Sequence, residues 1–186
     1  MTAGLDRQEA LGLEHPQDSE GTGRTVHAVR RLDGTEWPLL REVRQRALRD
    51  APHAFGATHT ETAARGDEFW RASVVRTAWF VAHHGDAVVG VVAGLPGDAA
   101  DPGSRELVSM WVAPSCRGTG AAAQLVAAVC GWAQGDGAAA VRLKVSEVNP
   151  RARRFYERVG FRLTGARKPL RNQPGVDVLE MRRALT

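Results

Sequence analysis

The chain has 186 residues, enough to bury a core within a single domain. Its 25% charged and 43% hydrophobic residues are those of an ordinary globular protein. It has neither an apolar run of membrane-spanning length nor the apolar core of a signal peptide near its start. A formal net charge of +4 and a pI of about 9.8 are modestly basic, but no basic tract is interleaved with aromatics and no helix-turn-helix or zinc-finger spacing occurs, which argues against nucleic acid and membrane as partners.

Cys116 and Cys130 do not make a disulfide framework, so a reducing cytoplasm is the expected location. The basic excess is local. Between Arg142 and Arg171 stand ten Arg or Lys against two Glu, a face suited to a polyanion such as a phosphorylated cofactor.

In chain order, Met1 to Gly23 is polar, almost without large apolar residues, and reads as a disordered tail preceding one domain from residue 24 to 186. A short strand is expected over Val26 to Arg30. A helix capped by Asp33 or Thr35 follows to about Arg49, with Trp37, Leu40, Val43, Ala47 and Leu48 roughly in register. Pro52 ends it and Gly56 allows a turn. A second helix is expected from near Thr60 to Val75, broken around Gly66.

The period then changes. Ala78 to His83 and Ala87 to Gly94 are apolar and rich in β-branched residues, and His84-Gly85-Asp86 between them suits a hairpin turn. A Gly/Pro/Asp loop, Pro96 to Arg105, leads to a strand at Leu107 to Val112 that stops at Pro114. Arg117-Gly118-Thr119-Gly120-Ala121-Ala122 comes next, and an apolar helical pattern runs to Gln134. Strand, glycine loop and helix start, in that order, place several backbone N–H groups where they can hold an anion.

A strand at Val141 to Val145 precedes a short helix framed by Asn149 as N-cap, Pro150 at its first position and Gly160 past its end. Ala152, Phe155, Tyr156 and Val159 form its apolar stripe. Two closing strands, Phe161 to Thr164 and Val176 to Arg182, give about seven strands and four helices in mixed order, an α/β or α+β sheet with helices on both faces.

The glycine loop alone leaves its ligand open. Gly118-Thr119-Gly120 with Ala123 also satisfies G-x-G-x-x-A, a dinucleotide fingerprint, but the acid expected about 20 residues on arrives late, at Glu147. Arg117 directly before the first glycine suits a charge on phosphate. Two linked segments then resemble one family. Arg117 to Ala122 is similar to the R/Q-x-x-G-x-G/A signature of the GNAT superfamily of N-acetyltransferases. Asn149, Ala152, Phe155-Tyr156-Glu157 and Gly160-Phe161 resemble its N-x-x-A-x-x-x-Y-x-x-x-G-F segment. The similarity covers roughly residues 25 to 183, with motifs only in the second half.

The resemblance implies a mixed, mostly antiparallel six- to seven-stranded sheet flanked by about four helices, with strands four and five splayed apart. It implies acetyl-CoA as acyl donor and no metal. The backbone of Met110, Trp111 and Val112 would pair with the pantetheine arm. Arg117, Gly118, Thr119, Gly120, Ala121 and Ala122 would hold the pyrophosphate, Asn149 would contact the pantetheine, and Arg153 or Arg154 would approach the nucleotide phosphates. Many relatives dimerise, which leaves a homodimer open; no stretch of this sequence marks an interface.

Acyl transfer from a thioester to an amine needs a neutral amine, a stabilised oxyanion and a proton for the leaving thiolate. Tyr156, the chain's one tyrosine, matches the family's acid position. On periodicity alone it reads first as an apolar-stripe residue of its helix; with both family segments present the acid is favoured. Glu106, at the start of the fourth strand, is the candidate base, against the plain reading of an exposed carboxylate. Ser109 is a weaker candidate for holding water or substrate. His53, Phe55 and His59 flank a loop that often covers the acceptor in this family, and each reads first as structural. Cys116 reads as a small loop residue, and His83 and His84 point to opposite faces, so they form no metal pair. The expected activity is direct acetyl transfer to a primary amine of a small or amino-acid-like acceptor. A peptide N-terminus or lysine is the second acceptor, and a non-catalytic acyl-CoA sensor is the alternative from another class.

Overall fold

The two valine-rich runs, Ala78–His84 (β2) and Ala87–Pro96 (β3), form a hairpin at the centre of one half of a seven-stranded sheet. The computed structural model describes residues 27–52, 59–170 and 174–186, and the expected N-terminal tail lies outside them. The other strands are Ala28–Arg31 (β1), Ser104–Val112 (β4), Ala140–Ser146 (β5), Arg162–Pro169 (β6) and Asp177–Ala184 (β7). The helices are Trp37–Asp50 (α1), His59–Ala63 (α2), Asp67–Arg76 (α3), Ala121–Gly135 (α4) and Pro150–Arg158 (α5). The sheet order is β1-β2-β3-β4-β5-β7-β6, antiparallel throughout except for the parallel pair β4–β5.

Seven consecutive residues of β3 are buried, because helices cover both of its faces. A strand so placed needs apolar residues without alternation, as AVVGVVAG supplies. The helix α4 lies close against β3, and the glycines there make room for it. A Cβ on Gly94 would stand 2.2 Å from Trp132 Cζ3, and one on Gly90 would stand 2.9 Å from Leu125 Cδ1. The edge strand β6 is exposed at every position and carries Arg162, Gly165, Arg167, Lys168 and Pro169. Charge, glycine and proline are residues that discourage an edge from pairing with another chain.

Several boundaries differ from the sequence reading. Neither Asp33 nor Thr35 caps α1. Asp33 Oδ1 instead accepts the Thr35 N–H at 2.8 Å in a local turn, and the helix starts later than either would require, with the cap position on Glu36. The broken second helix is two helices, with Gly66 extended (ψ 169°) as the N-cap of α3. The closing strands run longer than predicted because β6 and β7 pair over a polar, bulged stretch that lacks apolar alternation.

One irregularity shapes the middle of the sheet. Ala93 pairs with Val108 and Val91 with Trp111, so β4 spends three steps where β3 spends two. The extra residue is accommodated at Ser109, the only non-glycine with positive φ (59°) among the described residues. Such a bulge bends its strand. The parallel pairing of β4 with β5 extends only from Ser104–Ala140 to Leu107–Leu143. Beyond it, β4 runs on to Val112 and β5 to Ser146 without partnering each other, and a cleft opens between them.

Candidate active site

The cleft of about 560 Å³ follows from the splay. Met110, Trp111 and Val112 form one wall; Asn149, Ala152, Phe155, Tyr156 and Val159 of the α5 segment form the other. The loop Cys116–Gly120 and the start of α4 close one end. Gly118 (φ 91°) and Gly120 (φ 100°) are both left-handed, a conformation that favours glycine at each position. Gly120 is the N-cap of α4 and no side chain caps that end. The first intrahelical bond is Gln124 N–H to Gly120 O at 3.1 Å. The amides of Ala121, Ala122 and Ala123 precede it and have no carbonyl of their own helix to bond. An uncapped helix start of this kind suits a pyrophosphate.

The side chains of this loop do other work. Arg117 does not extend freely into the cleft: its Nε donates to Val112 O at 3.0 Å and its Nη2 is ion-paired with Asp50 Oδ2. Thr119 Oγ1 donates to Cys116 O at 2.7 Å and meets His27 Nε2 at 2.7 Å. The anion-holding capacity of the loop therefore lies in its backbone, with Arg117 supplying nearby positive charge.

Of the predicted residues on the helix α5, Asn149 lines the cleft while its Oδ1 accepts the Ala152 N–H at 3.0 Å. Arg153 is not part of the lining. Its Nε faces Glu157 Oε1 at 3.4 Å, one turn on. Arg151 and Arg158 line the cleft instead. They stand seven residues apart, two helical turns, and so share one face of α5, but the run of arginines does not by itself say which face meets the cleft.

Tyr156 is buried, with its ring packed edge-on to Phe161 at 5.8 Å and tilted against Phe155 at 5.1 Å. Burial raises the pKa of its hydroxyl well above its ordinary 10.0. The phenol therefore stays protonated at neutral pH and retains a proton to give.

A second cavity, about 410 Å³, adjoins the first and shares Ala51, Met110, Asn149, Ala152 and Tyr156 with it. Its own walls are Asp50, Pro52, Lys144, Val145, Ser146 and Val148. Glu106 lines neither cavity. Its Oε1 lies 2.6 Å from Lys144 Nζ, across the β4–β5 pair. Asp50, the last residue of α1, escaped the sequence reading because nothing local distinguishes it from an ordinary helix-end acid. It collects the Trp111 indole N–H at 2.8 Å as well as Arg117. His53 and Phe55 lie outside the described residues; His59 begins α2.

The comparisons with known proteins agree with this geometry. An uncharacterized N-acetyltransferase of Mycobacterium tuberculosis is 39% identical over 92 residues, which are 50% of this chain and 57% of the relative; the chain thus spans about half the length of the curated relatives it matches. An acetyltransferase of the GNAT family from Streptococcus pneumoniae superposes with a TM-score of 0.74 at 14% identity, covering 87% of this chain and all of that one (100%). A Salmonella typhimurium protein described as an acetyltransferase, solved with its cofactor acetyl-CoA, gives a TM-score of 0.69 at 18% identity, covering 87% of this chain and 95% of that one. At such identities the solved structures speak for the fold alone. The sequence model of the acetyltransferase (GNAT) family matches residues 37–161, well over half of the chain, and this match, in keeping with the splayed β4–β5 pair and the glycine loop, shows that the chain belongs to the GNAT acetyltransferase family.

Proposed function

We propose that the protein is an acetyl-CoA-dependent N-acetyltransferase that acetylates a primary amine of a small or amino-acid-like acceptor by direct transfer. The observation that carries this reading is the junction of the two cavities: Met110, Asn149 and Tyr156 belong to both. A donor lying in the larger cleft and an amine in the smaller one would meet there, and holding both reactants is itself a large part of the rate.

Acetyl-CoA supplies the activated acyl group as a thioester. The cleft has a fitting cradle, the left-handed glycine loop and the uncapped start of α4. The amides of Ala121 to Ala123 with Gly118, Thr119 and Gly120 would hold the pyrophosphate, aided by the positive end of the helix. The β4 edge at Met110 to Val112, released from β5 by the splay, would receive the pantetheine arm, and Arg151 and Arg158 would face the nucleotide phosphates. Val112 O is already engaged by Arg117, so the arm's partners are the remaining backbone groups.

In the transfer the amine nitrogen bonds to the acyl carbon, the carbon–sulfur bond breaks, and the ammonium's spare proton leaves to base or water. Tyr156 would give its proton to the departing sulfur. Glu106, paired with Lys144, would act as base only through intervening water, since it does not line the acceptor cavity. The test is thiol release from acetyl-CoA across a panel of amines, together with calorimetry of acetyl-CoA binding. Tight binding without turnover on any amine or peptide N-terminus would replace this reading with an acyl-CoA sensor.

A further inference from the structure

The acceptor-side cavity carries two charged residues of opposite sign among those described, Asp50 and Lys144. Each is half of an ion pair whose other member stands outside that cavity. Arg117 lines the donor cleft, and Glu106 lines neither. The cavity therefore carries one charged side chain of each sign, a carboxylate at the end of α1 and an ammonium on β5.

The negative end is oriented and oddly placed. Both of the bonds Asp50 receives, from Trp111 Nε1 at 2.8 Å and from Arg117 Nη2, fall on Oδ2, so Oδ1 receives neither of them. As the last residue of α1, Asp50 adds an anion where the helix already presents its carbonyls and negative dipole end. A carboxylate there works against local electrostatics, and the same arrangement favours a cation brought to it. Its bonding partners, Trp111 and Arg117, line the donor cleft, so a cation at Asp50 sits beside the donor.

The other end carries a hydroxyl unsatisfied among the described residues. Ser146 Oγ is buried without a hydrogen-bond partner among them, two residues along β5 from Lys144 and on the same face of the strand. A buried hydroxyl left without a partner costs free energy that a ligand would recover. Lys144 and Ser146 line the acceptor cavity and not the donor cleft, so this end is the far one.

We propose that the acceptor is a zwitterion of the α-amino-acid class. Its ammonium is received by Asp50 beside the donor, and its carboxylate by Lys144 Nζ and Ser146 Oγ. The inference rests on the acetyltransferase reading and adds to it the substrate class and three specificity-determining residues.

The experiment follows thiol release from acetyl-CoA with each proteinogenic amino acid, its α-amide, and the corresponding decarboxylated amine. For the preferred side chain, the free acid should exceed the amide in kcat/KM by about tenfold or more, the ratio expected when one charged contact is lost. K144M should bring that ratio to within about twofold of unity. D50N keeps an acceptor oxygen for Trp111 and Arg117 but removes the charge, so it should raise the acceptor KM while leaving acetyl-CoA affinity by calorimetry unchanged. If D50N instead weakens acetyl-CoA and spares the acceptor KM, Asp50 only holds Arg117 and the inference fails. Amines acetylated with no preference for the carboxylate overturn it while leaving the acetyltransferase reading intact. Bound acetyl-CoA with no turnover of any amine overturns both. The wild-type acid-to-amide ratio requires no variant, so it decides even if a substituted chain does not fold.

Discussion

His27 Nε2 and Thr119 Oγ1 lie 2.7 Å apart, and the direction of their hydrogen bond is fixed by the other bond Thr119 makes. The single hydroxyl proton of Thr119 goes to Cys116 O at 2.7 Å, so the hydroxyl accepts from His27, and the ring carries its proton on Nε2. Nδ1 is then the buried nitrogen without a partner among the described residues. His27 also ties its backbone N–H to Gln124 Oε1 at 3.0 Å, one turn into α4. A residue at the edge of the sheet thus braces the glycine loop from behind.

His27→Ala should therefore weaken acetyl-CoA binding, not merely lower stability. Losing a buried hydrogen bond costs about 1 kcal/mol, or roughly fivefold in affinity if it all falls on the loop. His27→Gln, which can offer an N–H at a similar reach, should restore most of it. Ring nitrogen NMR should show the Nε2–H tautomer. An alanine variant with unchanged acetyl-CoA affinity but a lower Tm would reduce His27 to a packing residue.

Because Tyr156 is the one tyrosine in the chain, ultraviolet titration of tyrosinate reads it alone. Burial raises its pKa in the folded protein. The folded chain thus holds this proton more tightly than the unfolded chain, and stability is full below the ordinary value of about 10 and falls as pH rises above it. Tyrosinate absorbance should stay flat through pH about 10 and then appear together with unfolding, not before it. Tyr156→Phe should remove this alkaline component of instability. It should also lower kcat with little change in the acceptor KM if the phenol supplies the thiol's proton, by about a hundredfold as general acids do.

The parts of the site that follow from periodic pattern and caps were legible in the sequence. Asn149, Pro150 and Gly160 framed α5 within a residue or two, and its stripe placed Tyr156 against the core. The glycine loop was legible because Gly118 and Gly120 need a backbone few other residues adopt. What depended on long-range contact was not. Asp50 meets Arg117 across 67 positions and His27 meets Thr119 across 92, and no local signal encodes either meeting. Arg153 was chosen over Arg151 because a run of arginines looks alike until the helix phase relative to the cleft is known.

The ion pair of Glu106 with Lys144 makes a separate prediction about the base. Glu106 Oε1 sits 2.6 Å from Lys144 Nζ, with the Glu106 side chain 21% exposed. Glu106→Gln keeps a similar shape and a hydrogen bond to Lys144 while removing the charge. If Glu106 relays a proton from the acceptor through water, this variant should lose turnover most at low pH, where the acceptor amine is most protonated, and should recover as pH rises. A pH–rate profile that falls by one uniform factor, or does not change, removes Glu106 as base and leaves it holding Lys144 in place.

The positive φ of Ser109 allows the extra residue in β4. A left-handed backbone costs a residue with a Cβ about 1 kcal/mol or more, and a β-branched residue more still. Ser109→Gly removes that cost in the folded state but adds entropy to the unfolded one, so Tm should move by no more than a few degrees either way. Ser109→Val should destabilise by about 1–3 kcal/mol. If the bulge yields to relieve the strain, β4 would pair with β3 in regular register, and the strand beyond Val108 would shift by one residue, turning each later side chain to the other face. Trp111 would then leave Asp50, and Met110 would leave the junction of the two cavities. Acetyl-CoA affinity should fall sharply in the valine variant and hold in the glycine one. Equal affinity in both would show that the cleft does not depend on relieving the strain at position 109.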